Sequence, residues 1–146
     1  MSFMFSKENL LKIEELKKRY PNPHALSLPC LWMAQYQEGF ISLDAIDAIS
    51  QIIHMPSMEI YGVATFYTMF RLEPSEKLIV DVCKTLSCKL CGSDEILEHL
   101  EKNDTIKLRH VECLGSCSTA PVMQINDVYY ENLTIAKVDA ILKELK

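Results

Sequence analysis

Five of the six cysteines lie between residues 81 and 121, and this stretch carries the side chains best suited to chemistry. They are Cys83, Cys88, Cys91, Cys113 and Cys117. Thiolates are soft ligands that select iron–sulfur clusters, zinc or copper, and a cluster of two irons and two sulfides takes four cysteines. The stretch therefore predicts a metal or redox site, with one cysteine more than such a cluster needs.

The spacing of these cysteines permits three interpretations. Cys83, Cys88 and Cys91 are spaced C-x4-C-x2-C with further cysteines downstream, which is typical of plant-type ferredoxins. Cys88 and Cys91 also form a C-x-x-C between an expected strand and an expected helix, as in a thioredoxin-type dithiol. The third interpretation pairs Cys83 with Cys88, and Cys113 with Cys117. Spacing alone leaves all three open.

Two other kinds of metal site are disfavoured by the sequence. Structural zinc sites usually use tight C-x2-4-C spacings, and the C-x-x-C of Cys88 and Cys91 fits these most comfortably. Rieske centres replace two cysteines with histidines, but no histidine here lies at such a spacing from a cysteine in a shared loop. We expect the histidines to be structural or surface groups; they are His24, His54, His99 and His110.

In the third interpretation, each cysteine pair follows an expected strand. Lys77–Val82 is a short apolar run, and Thr105–Val111 alternates partly between apolar and polar residues. Between them, Ser93–Leu100 starts with a good N-cap residue and continues as an amphipathic helix. A β-α-β unit brings the ends of its parallel strands to one edge of a sheet, so two loops can offer two thiolates each.

The residues after the cysteines complete the second half of the chain. Val122–Asn126 and Val128–Glu131 are expected strands of a tight hairpin, and Thr134 caps a final helix. Pro121 stands where thioredoxins carry a cis-proline. The helix is expected to bury Ile135, Val138, Ile141, Leu142 and Leu145. The order β-α-β then β-β-α predicts an α/β fold with a compact thioredoxin-like sheet over residues 74–146.

The first half of the chain, residues 1–73, is expected to form a small helical bundle. Periodicity, capping residues and prolines predict four helices: Ser6–Tyr20, Leu26–Glu38, a third from the Ser42 cap to Met55, and a fourth from Ser57 to about Phe70. The polar segment Arg71–Glu76, with Pro74, is the expected domain boundary.

Several side chains of this first half are expected in its core rather than at a functional site. Leu10, Ile13, Leu16 and Tyr20 form an approximate stripe on the first helix, and Cys30 and Trp32 belong to the second. The aromatic and methionine-rich end of the fourth helix is also best explained by packing; its residues are Phe66, Tyr67, Met69 and Phe70.

Charge and hydropathy narrow the class of partner and compartment. A formal net charge of -5 and a pI near 5.4 argue against nucleic acid or an anionic membrane as the main partner. Residues 1–10 lack the features of a signal peptide, and no apolar run is long enough to span a bilayer. We expect a cytoplasmic protein without direct membrane insertion, in which clustered cysteines serve as metal ligands or redox groups rather than disulfides.

Five segments together resemble a known family: YGVATFYTMF (61–70), VCKTLSC (82–88), VECLGSC (111–117), APVMQIND (120–127) and YYENLT (129–134). The family is the thioredoxin-like [2Fe-2S] ferredoxin subunit, or E subunit, of bacterial NADH-quinone oxidoreductase (respiratory complex I). The resemblance covers the chain from about Leu26 onward. It implies that Cys83, Cys88, Cys113 and Cys117 bind a [2Fe-2S] cluster, and that Cys91 is an extra thiol. The span between Cys88 and Cys113 is shorter than is usual in the family.

The resemblance also implies a function within a complex. A cluster transfers single electrons whereas NADH gives up a hydride, so a flavin must mediate between them. The chain has no G-x-G-x-x-G fingerprint, and the resemblance places FMN and NADH on a partner flavoprotein subunit. The chain would then not be catalytic alone, and the complex would hold it peripherally at the inner membrane.

Two alternatives to this function remain. Soluble NAD-linked hydrogenases and formate dehydrogenases use similar subunits. A thiol-disulfide oxidoreductase working through Cys88 and Cys91 is the alternative from another class of protein.

Overall fold

Helices alone build the first unit of the chain, and a mixed sheet organises the second. The computed structural model describes residues 3–145. The first unit ends at Pro74 and the second begins at Ser75. Within the described residues, no helix is both long enough and apolar enough to cross a bilayer.

Four α-helices form the first unit: α1 (Lys7–Lys17), α2 (Ser27–Glu38), α3 (Leu43–Ile53) and α4 (Ser57–Phe66). Ser6 caps α1, because its hydroxyl oxygen accepts a hydrogen bond from the Asn9 amide at 3.2 Å. Ser42 caps α3 in the same way, accepting from the Ala45 amide at 3.1 Å. Gly39 ends α2 in the left-handed conformation, with φ 82°. The helical bundle predicted from periodicity and capping residues is confirmed.

The core of the first unit is mainly aliphatic and also contains Phe3, Phe5, Phe70 and one cysteine. Cys30 is fully buried, as predicted, and Trp32 is half-buried against the same core. The largest fully buried side chains are Ile13, Leu26, Leu31, Ile41, Ile49, Ile53 and Ile60.

Two predicted helices are shorter than expected, and part of their predicted core is exposed. α1 ends at Lys17 and not at Tyr20. Leu10 is exposed, because it lies to one side of the line that joins the buried Ile13 and the partly buried Leu16. α4 ends at Phe66 and not near Phe70. Phe66 is 76% exposed because it lies about 200° around the helix from the buried Ala64. The packing interpretation therefore holds for Phe70, which is buried, and is wrong for Phe66.

The sheet of the second unit contains β1 (Leu78–Cys83), β2 (Ile106–Val111), β3 (Met123–Ile125) and β4 (Val128–Tyr130). The strand order is β2-β1-β3-β4. β1 and β2 are parallel, whereas β3 pairs antiparallel with both β1 and β4. Asn126, with φ 53°, forms the turn between β3 and β4. The predicted α/β class, parallel pair and hairpin are confirmed.

Three helices complete this unit: α5 (Leu86–Leu90), α6 (Ser93–Leu100) and α7 (Ile135–Glu144). Val80 and Val82 of β1 share one face of the sheet with Met123 and Ile125, their partners in register across β3. The same hydrophobic core contains Ile96, Leu97 and Leu100 of α6 and Val138, Ile141 and Leu142 of α7. Both helices thus pack on one face of the sheet.

The structure corrects three details of the predicted second unit. Helix α5 was not predicted. Ser93 is the first residue of α6 and not its cap, because Gly92 precedes it with φ 94°, and the buried Ser93 hydroxyl has no hydrogen-bond partner among the described residues. Ile135 and Leu145 are 41% and 46% exposed because they lie at the two ends of α7, beyond the sheet-facing middle turns.

A buried ion pair links β1 to β2. Asp81 and Arg109 are partners in the parallel register. Arg109 Nε lies 2.5 Å from Asp81 Oδ1, and its Nη2 lies 2.6 Å from Oδ2. Since side chains alternate along a strand, Asp81 points to the face opposite Val80 and Val82.

Candidate metal centre

The two predicted cysteine loops begin at the same edge of the sheet. Cys83 is the last residue of β1 and pairs in register with Val111, the last residue of β2. The Lys84 amide donates a hydrogen bond to the Val111 carbonyl at 3.0 Å. The Cys83 sulfur lies 3.7 Å from the carbonyl oxygen of Glu112, which directly precedes Cys113. The two loops are therefore joined where they leave their strands.

The first loop folds back as the single-turn helix α5, which carries Cys88. Its start is fixed by the Lys89 amide, which donates to the Thr85 carbonyl at 2.9 Å. Cys83 and Cys88 are only 4% and 3% exposed and pack with the buried Val122. Leu114 of the second loop packs against the same small cluster. The first pair of thiols is thus held inside the protein, in contact with the second loop.

The second loop presents its thiols at the surface. Cys113 and Cys117 are both exposed. Gly115 has φ 75°, a conformation that favours glycine, and its amide donates to the Cys113 sulfur at 3.3 Å. Cys117 begins a short 3-10 turn, Cys117–Thr119. Pro121, which follows this turn, has the cis peptide bond expected from its position.

A polar network fastens the second loop to the segment after β4. Ser116 Oγ donates a short hydrogen bond to Glu131 Oε1 and lies 2.8 Å from Thr119 Oγ1. The amide of Asn132 donates to the Thr119 carbonyl at 2.7 Å. The segment YYENLT (129–134), which contains Glu131, contributes to the family resemblance, but no sequence signal predicts that Glu131 contacts the cysteine loop, because it belongs to no recognised cysteine spacing.

Local electrostatics differ within the first thiol pair. The pKa of Cys88 is raised to about 11 by burial, by its hydrogen bond to Cys83 and by the nearby Cys83 and Cys117. A hydrogen bond from the Val122 backbone opposes this shift. Burial would also raise the pKa of Cys83. Hydrogen bonds from the backbones of Thr85 and Leu114 and from the Cys88 thiol outweigh it, so the pKa of Cys83 lies below its usual range. Cys83 therefore gives up its proton before Cys88 does.

A carboxylate also lies in this region. Hydrogen bonds from Ser116 and Thr119 hold the pKa of Glu131 below its usual range. Glu131 is accordingly ionised at neutral pH and acts only as an acceptor.

Of the remaining predicted residues, Cys91 borders the first loop, and the histidines contact other groups. Cys91 is exposed and follows the last residue of α5, where its amide donates to the Cys88 carbonyl at 3.1 Å. His99 pairs with Asp139 at 2.7 Å, and His110 lies 3.6 Å from Glu101. His24 contacts the carbonyl of His54 at 3.2 Å. Each histidine thus contacts a group other than a cysteine.

Comparison with known sequences decides the family. Residues 13–146 match the family described as thioredoxin-like [2Fe-2S] ferredoxin. The chain belongs to the thioredoxin-like [2Fe-2S] ferredoxin family. The resemblance inferred from the sequence segments is therefore confirmed.

Several relatives of this ferredoxin are named as the E subunit of NADH-quinone oxidoreductase. The E subunit of Rickettsia bellii (strain RML369-C) is 42% identical over 99% of this chain and 95% of its own length. That of Rickettsia prowazekii (strain Madrid E) is 41% identical over 98% and 89%. In Rhizobium meliloti (strain 1021), the E subunit numbered 2 is 37% identical over 92% and 87%.

Solved structures support the fold of this thioredoxin-like ferredoxin. A chain of the NAD+-reducing [NiFe]-hydrogenase matches with TM-scores of 0.65 in the H2-reduced state and 0.64 in the air-oxidized state. The match covers 79% of this chain and 22% of the hydrogenase chain, at 20% identity. At that identity, the likeness shows the fold alone.

Proposed function

We propose that this chain is the electron-carrying E subunit of an NADH-quinone oxidoreductase and holds a [2Fe-2S] cluster on Cys83, Cys88, Cys113 and Cys117. One observation carries the proposal. Two loops that leave adjacent parallel strands, each with two thiols, are joined by the hydrogen bond from the Lys84 amide to the Val111 carbonyl.

The donor set and its surroundings fit such a cluster. Four thiolates satisfy the ligand requirement of two irons, two thiolates at each iron. The Gly115 amide already donates to the sulfur of Cys113, and amide hydrogen bonds to sulfur are one of the features that set a cluster's potential. When bound there, the cluster would supply one-electron transfer, and the four cysteines would hold it, two of them buried and two exposed.

The four thiols are divided equally between two loops. Among the described residues, no group of three or more histidine, cysteine or acidic side chains is arranged to hold one metal ion. A [2Fe-2S] cluster would need two thiolates at each of its two irons. The division of the cysteines into two adjoining pairs suits that requirement.

The partner in this proposal is a flavoprotein subunit that binds FMN and NADH. Relatives that match nearly the whole chain are named as E subunits of NADH-quinone oxidoreductase, which supports this complex over a hydrogenase or formate dehydrogenase. The chain itself has four glycines and none in a G-x-G-x-x-G arrangement. We infer a cytoplasmic chain, peripheral to the inner membrane through its complex and not catalytic alone.

The burial of Cys88 weighs against a thiol-disulfide oxidoreductase. The attacking thiolate of such an enzyme must be accessible to its substrate. Cys88, the first cysteine of the C-x-x-C, is 3% exposed and lies in the middle of α5. Of Cys88 and Cys91, only Cys91 faces solvent, so this pair lacks an accessible first thiol.

Anaerobic purification of the full chain tests the cluster itself. We expect a coloured protein with equal amounts of iron and sulfide and an EPR signal that appears only on reduction. A colourless chain that binds zinc at the four cysteines would contradict the proposal.

Mixing with the flavoprotein subunit tests the electron transfer. NADH should reduce the cluster only when the FMN-loaded flavoprotein is present, and the flavoprotein without FMN is the matched control. Reduction of the cluster by NADH in the isolated chain, without flavin, would show that this division of labour is wrong.

A further inference from the structure

We infer that Glu131 is a positioning residue that sets the geometry of the Cys113–Cys117 loop toward the cluster. This inference rests on the proposed function. Glu131 accepts a short hydrogen bond from Ser116, the residue directly before Cys117. A group that fixes the neighbour of a ligand fixes the direction of that ligand's side chain.

Glu131 is itself anchored on two sides. It follows the last residue of β4, and its carbonyl accepts a hydrogen bond from Lys137 Nζ of α7 at 2.6 Å. The next two residues are also tied, because the Asn132 amide donates to Thr119 and the Leu133 amide donates to the Pro121 carbonyl at 3.1 Å. The carboxylate therefore extends from a short segment just after β4 that is held in place by these backbone and side-chain hydrogen bonds.

The loop depends on this anchor because its other internal bonds are local. Thr119 Oγ1 donates to the Ser116 carbonyl at 3.1 Å, and the Thr119 amide donates to the same oxygen at 3.2 Å. These bonds close the turn around Cys117 but do not attach its Ser116 end to the segment after β4. Among the described side chains, Glu131 makes that attachment through Ser116 Oγ. The exposed thiol of Cys117 then lies next to a fixed point.

A carboxylate near the ligand loop also has an electrostatic effect. Reduction adds negative charge to the cluster, and the negative charge of Glu131 opposes it. Neutral replacements at this position should therefore raise the midpoint potential whether or not they keep the hydrogen bond. The geometric and electrostatic roles can be separated, because glutamine keeps an acceptor oxygen and alanine does not.

The test uses the full chain loaded with its cluster, in the Glu131→Gln and Glu131→Ala variants. Glu98→Gln, an exposed carboxylate on α6, is the matched control for loss of one charge. We expect Glu131→Ala to lose its cluster to a chelator about 10- to 100-fold faster than the wild type. Glu131→Gln should retain most of the wild-type lifetime, and both should have a raised midpoint potential. Glu98→Gln should leave the lifetime unchanged.

Ser116→Ala removes the Ser116–Glu131 hydrogen bond from the loop side and leaves the one from Thr119, so it should shorten the cluster lifetime less than Glu131→Ala does, with little change in midpoint potential. Hydrogen exchange of the Thr119 and Asn132 amides in the cluster-free chain should be faster in both alanine variants.

The outcomes distinguish the two proposals. A wild-type lifetime in Glu131→Ala, or a glutamine variant as labile as the alanine variant, would overturn the positioning role alone. If the wild type took up no cluster, the proposed function and this role would both be wrong.

Discussion

Lys84 and Glu112 form an ion pair between the two cysteine loops, with Nζ 3.0 Å from Oε1. Lys84 directly follows Cys83, and Glu112 directly precedes Cys113. A second pair on the first loop joins Lys89 to Asp94 at 3.2 Å. Each lysine next to a proposed ligand is therefore balanced by a carboxylate, so the charge around the centre is set by pairs and not by the lysines alone.

The first prediction follows from this balance. Lys84→Gln leaves Glu112 unpaired beside Cys113, which disfavours the added electron and should lower the midpoint potential. Two unit charges about 8 Å apart in a water-like dielectric interact by roughly 0.5 kcal/mol, or about 20 mV for one electron. Redox titration should show a decrease of that size, and a larger one when Lys89→Gln is added.

Glu112→Gln is the matched control for this prediction and should raise the midpoint. The double variant Lys84→Gln, Glu112→Gln should return close to the wild-type value. A raised or unchanged midpoint in Lys84→Gln would show that this pair does not influence the cluster.

The Asp81–Arg109 pair gives a prediction about stability. The two side chains are 11% and 23% exposed and make two short contacts. Arg109→Met leaves the carboxylate of Asp81 buried without its cation, which should lower the free energy of unfolding by about 2 to 4 kcal/mol. Urea denaturation of the cluster-free chain measures this.

The exposed pair of Lys12 and Glu8 serves as the control, since its Nζ–Oε1 distance of 2.7 Å is equally short but its side chains are 54% and 77% exposed. Lys12→Met should leave the free energy of unfolding almost unchanged, because water screens an exposed ion pair. Equal losses from both substitutions would show that burial does not set the strength of the Asp81–Arg109 pair.

The Cys30 thiol provides a pH-dependent prediction. Burial raises the pKa of Cys30 from 9.0 to about 11, although the nearby Lys17 opposes the shift. Because the folded state holds this proton more tightly, the resulting stability is present below pH 9 and is lost as the pH rises to about 11. The difference in unfolding free energy between the wild type and Cys30→Ala should shrink over that interval.

Alkylation of the cluster-free chain tests the burial of the Cys30 thiol more simply. At pH 8, iodoacetamide should modify the exposed thiols Cys91, Cys113 and Cys117 long before Cys30. Labelling of Cys30 at a comparable rate in the native chain would contradict its burial.

Much of this fold can be predicted from local sequence signals. Ser42 and Thr134 cap their helices as expected, and the Asn126-Asp127 turn joins β3 to β4. These features depend on a few neighbouring residues, whose preferences for caps and turns are strong. The parallel pairing of β1 with β2 can also be predicted from the sequence, because a helix between two strands favours a right-handed β-α-β unit.

The features that were missed depend on contacts between distant residues. Helix α5 has five residues, too few for a periodic pattern. The Asp81–Arg109 pair requires the register of two strands, and the Ser116–Glu131 bond requires the packing of a loop against the end of β4. Phe66 is exposed although its side chain is apolar, because the position of a residue around the helix, and not its type, decides whether it faces the core.

The ligand set is the central claim, and it is tested most directly by comparing Cys91→Ser with Cys117→Ser. Cys88 is the poorer choice for replacement, because Cys91 lies three residues away and can take its place. We predict that Cys91→Ser keeps the visible absorption and the reduced-state EPR signal of a [2Fe-2S] cluster, whereas Cys117→Ser loses or grossly alters both. A bleached Cys91→Ser beside a Cys117→Ser with an unchanged spectrum would contradict the assignment of Cys83, Cys88, Cys113 and Cys117.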